Sequence, residues 1–311
     1  MKVLVSLGGN AILRHGEKGT ADEQAANVRS TSKQLVRLVQ GGAKLAITHG
    51  NGPQVGNILL QNELARAEIP AMPLDICGAE SQGMIGYLLE VGLESELKRA
   101  GLDAPVSAIV TRVAVDPLDA AFRRPTKPVG PFYGETEAAR LREERGWQIT
   151  SDSGRGYRRV VPSPKPLDIL EKKIIRRLYD AGTIVVSAGG GGVPVVVNEK
   201  GEIYGVEAVL DKDRTAALLA TVLGVETLLI LTDVERVYLN YGTHDERPLN
   251  SLGLEECRRY LDEGQFPSGS MGPKIEGAVS FLEAGGVRAI IASLDNAERA
   301  LNGESGTLIE R

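Results

Sequence analysis

Short apolar runs that stop abruptly at glycine, each followed by a helical pattern, restrict this chain more than any other feature does. Lys2 to Leu7 ends in Gly8-Gly9-Asn10, and Lys44 to Thr48 ends in His49-Gly50-Asn51-Gly52. Apolar spacing then predicts helices over about 23–40 and 53–67. Repetition of strand, loop and helix favours a mostly parallel sheet, buried on both faces by helices. A further amphipathic segment over 79–100 carries Met84, Ile85, Leu88, Leu89 and Leu93 on a stripe expected to pack on the sheet or on a partner subunit.

The pattern breaks between about 112 and 162. Pro117, Pro125, Pro128 and Pro131 interrupt the chain there, Arg123, Arg124 and Lys127 cluster, and 152–156 is rich in turn residues. An inserted hairpin or lid is expected, too small for much core of its own. Alternation then resumes with strands at 183–187, 227–231 and 288–292 and helices at 168–181, 211–223, 251–263 and 274–284. The expectation is one unit over 1–311 in two lobes sharing a core: about 1–200, carrying the projecting segment, and about 201–311.

Composition removes several function classes. A hydrophobic content of 42% can fill a large core, so general disorder is a poor description. Lys plus Arg is 36 and Asp plus Glu is 41, a formal charge of −5 with no basic tail, which argues against nucleic acid as a partner. No apolar stretch reaches membrane-spanning length and the first residues read as a strand, so no membrane association and a cytoplasmic location are expected. Cys77 and Cys257 lie in no CxxC pair and are expected as packed thiols.

Gly8-Gly9, Gly50-Asn51-Gly52 and Gly189 to Gly192 all follow strands. Glycine lets backbone amides approach an anion closely, and a following helix N-terminus adds positive potential. One such loop is equally explained by turn geometry, whereas three together point to phosphate. GxxxxGK[ST], GxGxxG and the protein-kinase catalytic set are all absent. Three lysines sit among turn or glycine residues rather than on an ordinary charged face: Lys127, Lys212 and Lys274. Lysine suits phosphoryl transfer, where the protein chiefly stabilises charge on the moving oxygens. The plainer alternatives stay open. Lys212 can be a solvated helix-start residue between the capping carboxylates Asp211 and Asp213, and Lys127 can share a solvated face with Arg123 and Arg124.

The ordered set SLGGNAI (6–12), THGNGPQVG (48–56), CGAESQGMIGY (77–87), RPTKPVGPFY (124–133), GRGYRRVVPSPKP (154–166), AGGGGVPV (188–195), LDKDRTAALLA (210–220), LTDVERVYLNYG (231–242) and SGSMGPK (268–274) resembles the carbamate kinases of the amino-acid-kinase superfamily. The resemblance implies a three-layer α/β/α sandwich with a small projecting subdomain, a homodimer, and reversible transfer between ATP and carbamate to give ADP and carbamoyl phosphate. The expected use is making ATP. Magnesium would be held mainly by the nucleotide phosphates. Lys212 and Lys274 would stabilise the transferred group, Asp213 would orient them, and Lys127 would reach the substrate from the projecting subdomain. Gly8, Gly9, Asn10, Gly50 and Asn51 would form the substrate and phosphate side. Thr232, Asp233, Val237, Tyr238, Gly269, Ser270 and Met271 would form the nucleotide side. Glu235 stands where the family often has aspartate, which leaves local hydrogen bonding open. His49 is expected to position its loop rather than act as a base. The competing readings are another small-acid or amino-acid kinase of the superfamily, and a non-catalytic ATP-binding regulator.

Overall fold

The computed structural model describes residues 1–151, 156–267 and 269–311, so the turn expected at 152–156 lies, but for Gly156, outside the described residues, as does position 268. The first half of the chain runs β1 (Lys2–Leu7), α1 (Ala21–Gln40), β2 (Lys44–His49), α2 (Gly52–Ala65), α3 (Leu74–Arg99), β3 (Val106–Ile109) and β4 (Arg112–Ala114). Thr20 and Glu23 cap α1 reciprocally, each accepting from the other's backbone N–H, which fixes its start. The inserted segment forms β5 (Lys127–Tyr133), α4 (Glu135–Arg145), β6 (Ile149–Ser151) and β7 (Tyr157–Val161). There follow β8 (Asp168–Ile169), α5 (Lys172–Asp180), β9 (Ile184–Ser187), β10 (Val193–Val197), β11 (Ile203–Gly205), α6 (Lys212–Leu223) and β12 (Thr227–Thr232). The chain closes with β13 (Val237–Leu239), β14 (Arg247–Leu249), β15 (Ser251–Gly253), α7 (Leu254–Asp262), α8 (Met271–Glu283), β16 (Arg288–Ser293), α9 (Ala297–Leu301) and β17 (Thr307–Glu310).

The central sheet has eight strands in the order β15-β17-β16-β12-β1-β2-β9-β3, parallel throughout except where β17 runs against β16. Strand alternation divides the core into two layers. Leu4 of β1 packs with α5, α6, α7 and α8, while Val3, Val5 and Leu7 pack with α1, α3 and α9. The result is the three-layer α/β/α sandwich that the resemblance implied. A second sheet, β11-β10-β4-β8, flanks it, and β5-β7-β6 forms a separate antiparallel sheet under α4. Ala138, Leu141 and Ile149 are buried there beside Tyr133, Trp147 and Tyr157, so the projecting segment has a small core after all.

Several boundaries differ from expectation for local reasons. Residues 168–169 pair with β4 as β8, and 251–253 pair with β17 as β15, which shortens the helices expected to begin there. On α3 the expected stripe splits: Ile85, Leu89 and Leu93 are fully buried, but Met84 faces outward. Neighbouring helical residues are about 100° apart, so Met84 and Ile85 cannot share one narrow face. Among the described residues no helix is long and apolar enough to cross a membrane.

Candidate active site

Three helices begin beside one cavity at the carboxyl ends of the central strands. They are α2 after Asn51, α6 after its N-cap Asp211, and α8 after Ser270. Their N-terminal dipoles make this end of the sheet attractive to anions. Glycine is required where the loops converge. Gly190 has φ of +65°, and a Cβ there would meet the Asn51 side chain. Asn51 itself donates to Ser81 of α3 at 2.8 Å, which fixes the loop's orientation.

Asp213 is the hub. Its Oδ1 accepts from Lys212 Nζ at 2.6 Å and from Ser6 Oγ at 3.0 Å, and its Oδ2 accepts from Lys274 Nζ at 3.0 Å. Lys212 Nζ also donates to Ser6 Oγ at 3.1 Å, closing a ring between β1 and α6. The Asp213 side chain is only 3% exposed, and the Lys212 and Lys274 side chains are each 14% exposed. Burial alone would raise the Asp213 pKa; Lys212 and then Lys274 outweigh it and hold the carboxyl well below the usual range. For Lys212, burial lowers the pKa, opposed by Asp213 and reinforced by Lys274. An ammonium has three donors. Lys212 spends two on the ring and Lys274 directs one at Asp213 and one, at 3.4 Å, at the Ser270 carbonyl, so both retain capacity for a phosphoryl oxygen.

Two cavities meet at these lysines. One, of about 350 Å³, is walled by Tyr238, Tyr241, Phe266 and Pro267 and also lined by Gly8, Asn10, Thr232, Asp233 and Met271. The other, of about 690 Å³, is lined by Gly50, Asn51, Gly190, Asp211, Asp213 and, from the projecting segment, Lys127. Gly9, Lys212, Gly269, Ser270 and Lys274 line both. The expected site residues are thus brought together, apart from Val237, although Gly8 and Asn10, expected on the substrate side, line the aromatic-walled cavity instead. Its side chain is fully buried and its N–H donates to Thr307, while Tyr238 beside it faces the cavity. Glu235 accepts from Ser305 Oγ at 3.2 Å, which settles its local hydrogen bonding.

His49 is buried and packs against Gly189, with Nδ1 donating to the Gly50 carbonyl at 3.0 Å in its neutral form. Burial pushes its pKa down to about 4, against the bond to Gly50 and helped by Lys212. It holds the loop and stays uncharged near neutral pH. Cys77 and Cys257 are buried thiols, raised chiefly by burial to about 11 and about 12.

Sequence reasoning missed Ser6, Tyr241 and Phe266 as site residues. Ser6 opens one of the motifs, Tyr241 is the last residue but one of another, and Phe266 precedes a third by two residues, so each was visible as a neighbour but not as a contact. Among the described residues no group of three or more His, Cys, Asp or Glu side chains could hold a metal ion. Asp213, between the two lysines, has both oxygens engaged by lysine.

The amino acid kinase family profile matches residues 1–293. The carbamate kinase of Pyrococcus horikoshii is 49% identical, with 99% of this chain and 98% of that protein aligned. That of Trichomonas vaginalis is 47% identical, with 99% of each aligned. The solved carbamate kinase of Giardia lamblia bound to AMP-PNP superposes with a TM-score of 0.94 at 44% identity, covering 99% of this chain and 98% of that one. Likeness that extends over whole chains, loops and projecting segment included, places this one: it belongs to the amino acid kinase family, among the carbamate kinases.

Proposed function

We propose that the chain catalyses reversible phosphoryl transfer between ATP and carbamate, giving ADP and carbamoyl phosphate, with the ring of Lys212, Asp213, Lys274 and Ser6 as its reaction centre. The observation that carries this is the position of the two ammonium groups at the junction of an aromatic-walled cleft and a polar, lid-covered one. The nucleotide base lies against Tyr238 and Tyr241, whose rings are 5.9 Å apart, and its phosphates lead towards Gly8-Gly9 and the start of α8. The small acid occupies the other side, among Gly50, Asn51 and Lys127. AMP-PNP in the Giardia lamblia relative supports the nucleotide assignment.

Carbamate is already anionic near neutral pH, so the site needs no general base. Asp213, kept ionised by its two lysines, orients them instead. Lys212 and Lys274 balance charge on the three oxygens of the phosphoryl group as it moves in line from one oxygen to the other. Magnesium comes as part of the nucleotide substrate, since the chain's own reaction-centre carboxylate is committed. Lys127 approaches from the opposite wall, carried by β5.

Further parts of the reading concern assembly. The chain divides into a substrate lobe of about 1–200 with its lid at about 112–162, and a nucleotide lobe of about 201–311. It works as a homodimer in the cytoplasm, running towards ATP. Support for the dimer is the outward face of α3, where Ile76, Met84, Tyr87 and Val91 are all exposed. At helical spacing these four fall within about 80° of arc, an apolar strip interrupted between Ile76 and Met84 by the exposed Glu80.

The test is an initial-rate assay with MgADP against carbamoyl phosphate, acetyl phosphate and amino-acid phosphates. Selective use of carbamoyl phosphate is expected. Selective use of another acyl phosphate would turn the assignment to a different small acid.

A further inference from the structure

Asp211 has two separate tasks in this fold. Its Oδ1 accepts the backbone N–H groups of Asp213 at 3.0 Å and Arg214 at 3.3 Å, capping the helix that carries Lys212. Its Oδ2 accepts from Lys127 Nζ at 3.2 Å, from the opposite wall of the cavity. One carboxylate therefore ties the start of α6 to the first residue of β5, 84 positions earlier. The Asp211 side chain is 12% exposed and that of Lys127 is 35% exposed, so the pair sits at the cavity's mouth with the ammonium partly open to it. Asp211 touches neither Lys212 Nζ nor Lys274 Nζ among the hydrogen bonds of the reaction ring.

On the reading of Lys127 given above, we infer that Asp211 is a positioning residue: it holds the Lys127 ammonium over the substrate cavity, so that the lid lysine is in place before the small acid arrives. Lys127 gives one donor to Asp211 and keeps two for an incoming oxygen. Without that anchor a lysine on four flexible bonds samples many rotamers, and each substrate binding event must order it. The ion pair thus moves the ordering step from substrate binding into folding. It also sets the lid's approach to α6, because Lys127 opens the strand on which the rest of the small sheet is built.

The two tasks are separable by substitution. Asparagine caps a helix about as well as aspartate, so Asp211→Asn keeps the α6 start and removes the ion pair, whereas Asp211→Ala removes both. The chain has one tryptophan, Trp147, and it lies in the lid, half-buried, beside a cavity of about 230 Å³ shared with α2. Its fluorescence reports lid seating without any turnover.

The expected result for Asp211→Asn is a KM for carbamoyl phosphate raised about three- to tenfold, as for a lost charge-assisted hydrogen bond, with kcat and the KM for ADP little changed. Acrylamide quenching of Trp147 should rise in the same variant, and in Lys127→Ala, while Asp211→Ala should additionally lower the melting temperature. An unchanged or lower KM for carbamoyl phosphate with unchanged quenching would overturn the inference. So would a parallel rise in the KM for ADP, or a melting temperature that falls as far in Asp211→Asn as in Asp211→Ala, since the KM change would then follow a general loosening of the site rather than loss of the hold on Lys127. Should the wild type prefer another acyl phosphate, the substrate assignment fails by itself, and the quenching comparison still decides the role of Asp211.

Discussion

Two residues carry opposite electrostatic burdens in this site. Asp213 is a buried anion that two ammonium groups surround, and its removal leaves both cations mostly buried and facing each other. Truncating one partner of a buried ion pair costs about 3–5 kcal/mol, so Asp213→Ala should unfold in markedly less urea as well as lose turnover. Lys274→Ala should separate these effects. Removing one charge-stabilising donor costs about 100- to 1,000-fold in kcat, and the remaining Lys212–Asp213 pair keeps the fold, which circular dichroism and a melting curve will check. His49 makes the pH prediction. Its folded pKa of about 4 lies below the unfolded value near 6.5, so between those values the unfolded chain binds more protons. Its contribution is fully present above pH 6.5 and is lost as pH falls towards 4, by at most about 3 kcal/mol. Urea midpoints at pH 7.5 and pH 5 should differ less in His49→Gln than in the wild type. The lysines and Asp213 were legible because they interrupt turn-rich motifs. Val237 is the instructive miss: in β13, Val237 and Leu239 are buried while Tyr238 turns out, a period of two that a motif-wide assignment ignores.

Helices α6 and α8 carry Lys212 and Lys274, the two lysines proposed as the reaction centre, and their contact is close enough to need glycine. A Cβ on Gly277 would lie 2.7 Å from the Asp213 carbonyl oxygen. Just beyond it, Arg214 and Glu276 are joined by two hydrogen bonds at 2.9 and 2.6 Å, bracing the same pair of helices. Gly277→Ala should push α8 away and lengthen the Lys274–Asp213 bond. A loss of about 1–3 kcal/mol is expected from overpacking, together with a fall in kcat larger than any change in the KM for ADP. Long periodic elements were readable from sequence; α4 was not. Only Ala138 and Leu141 of its eleven residues are buried, so the sequence lacks the apolar stripe that announces a helix. Strands β4, β8, β10 and β11 escaped for another reason, since runs of two to five residues hold together only through partners distant in the chain.

At the scale of the molecule, the alternation of strand and helix announced a parallel sheet, but nothing in it revealed which strands are neighbours. The outward face of α3 offers the test of assembly. Tyr87→Glu places a charge in the middle of the apolar strip, and sedimentation should show the wild type at twice the chain mass and the variant at the chain mass. Equal masses would remove α3 from the interface. The order of the sheet has a consequence for biosynthesis. β1 is the first strand made, yet it lies inside the sheet, and one of its two partners is β12 at residues 227–232. Until that stretch leaves the ribosome, the innermost strand of the finished enzyme is an open edge, ready to pair with whatever strand it meets. Ser6 likewise waits for Asp213. A chain cut short in its second half is therefore more than an inactive enzyme: it is a sticky fragment that chaperones and proteases must handle, so the cost of incomplete synthesis falls on the cell.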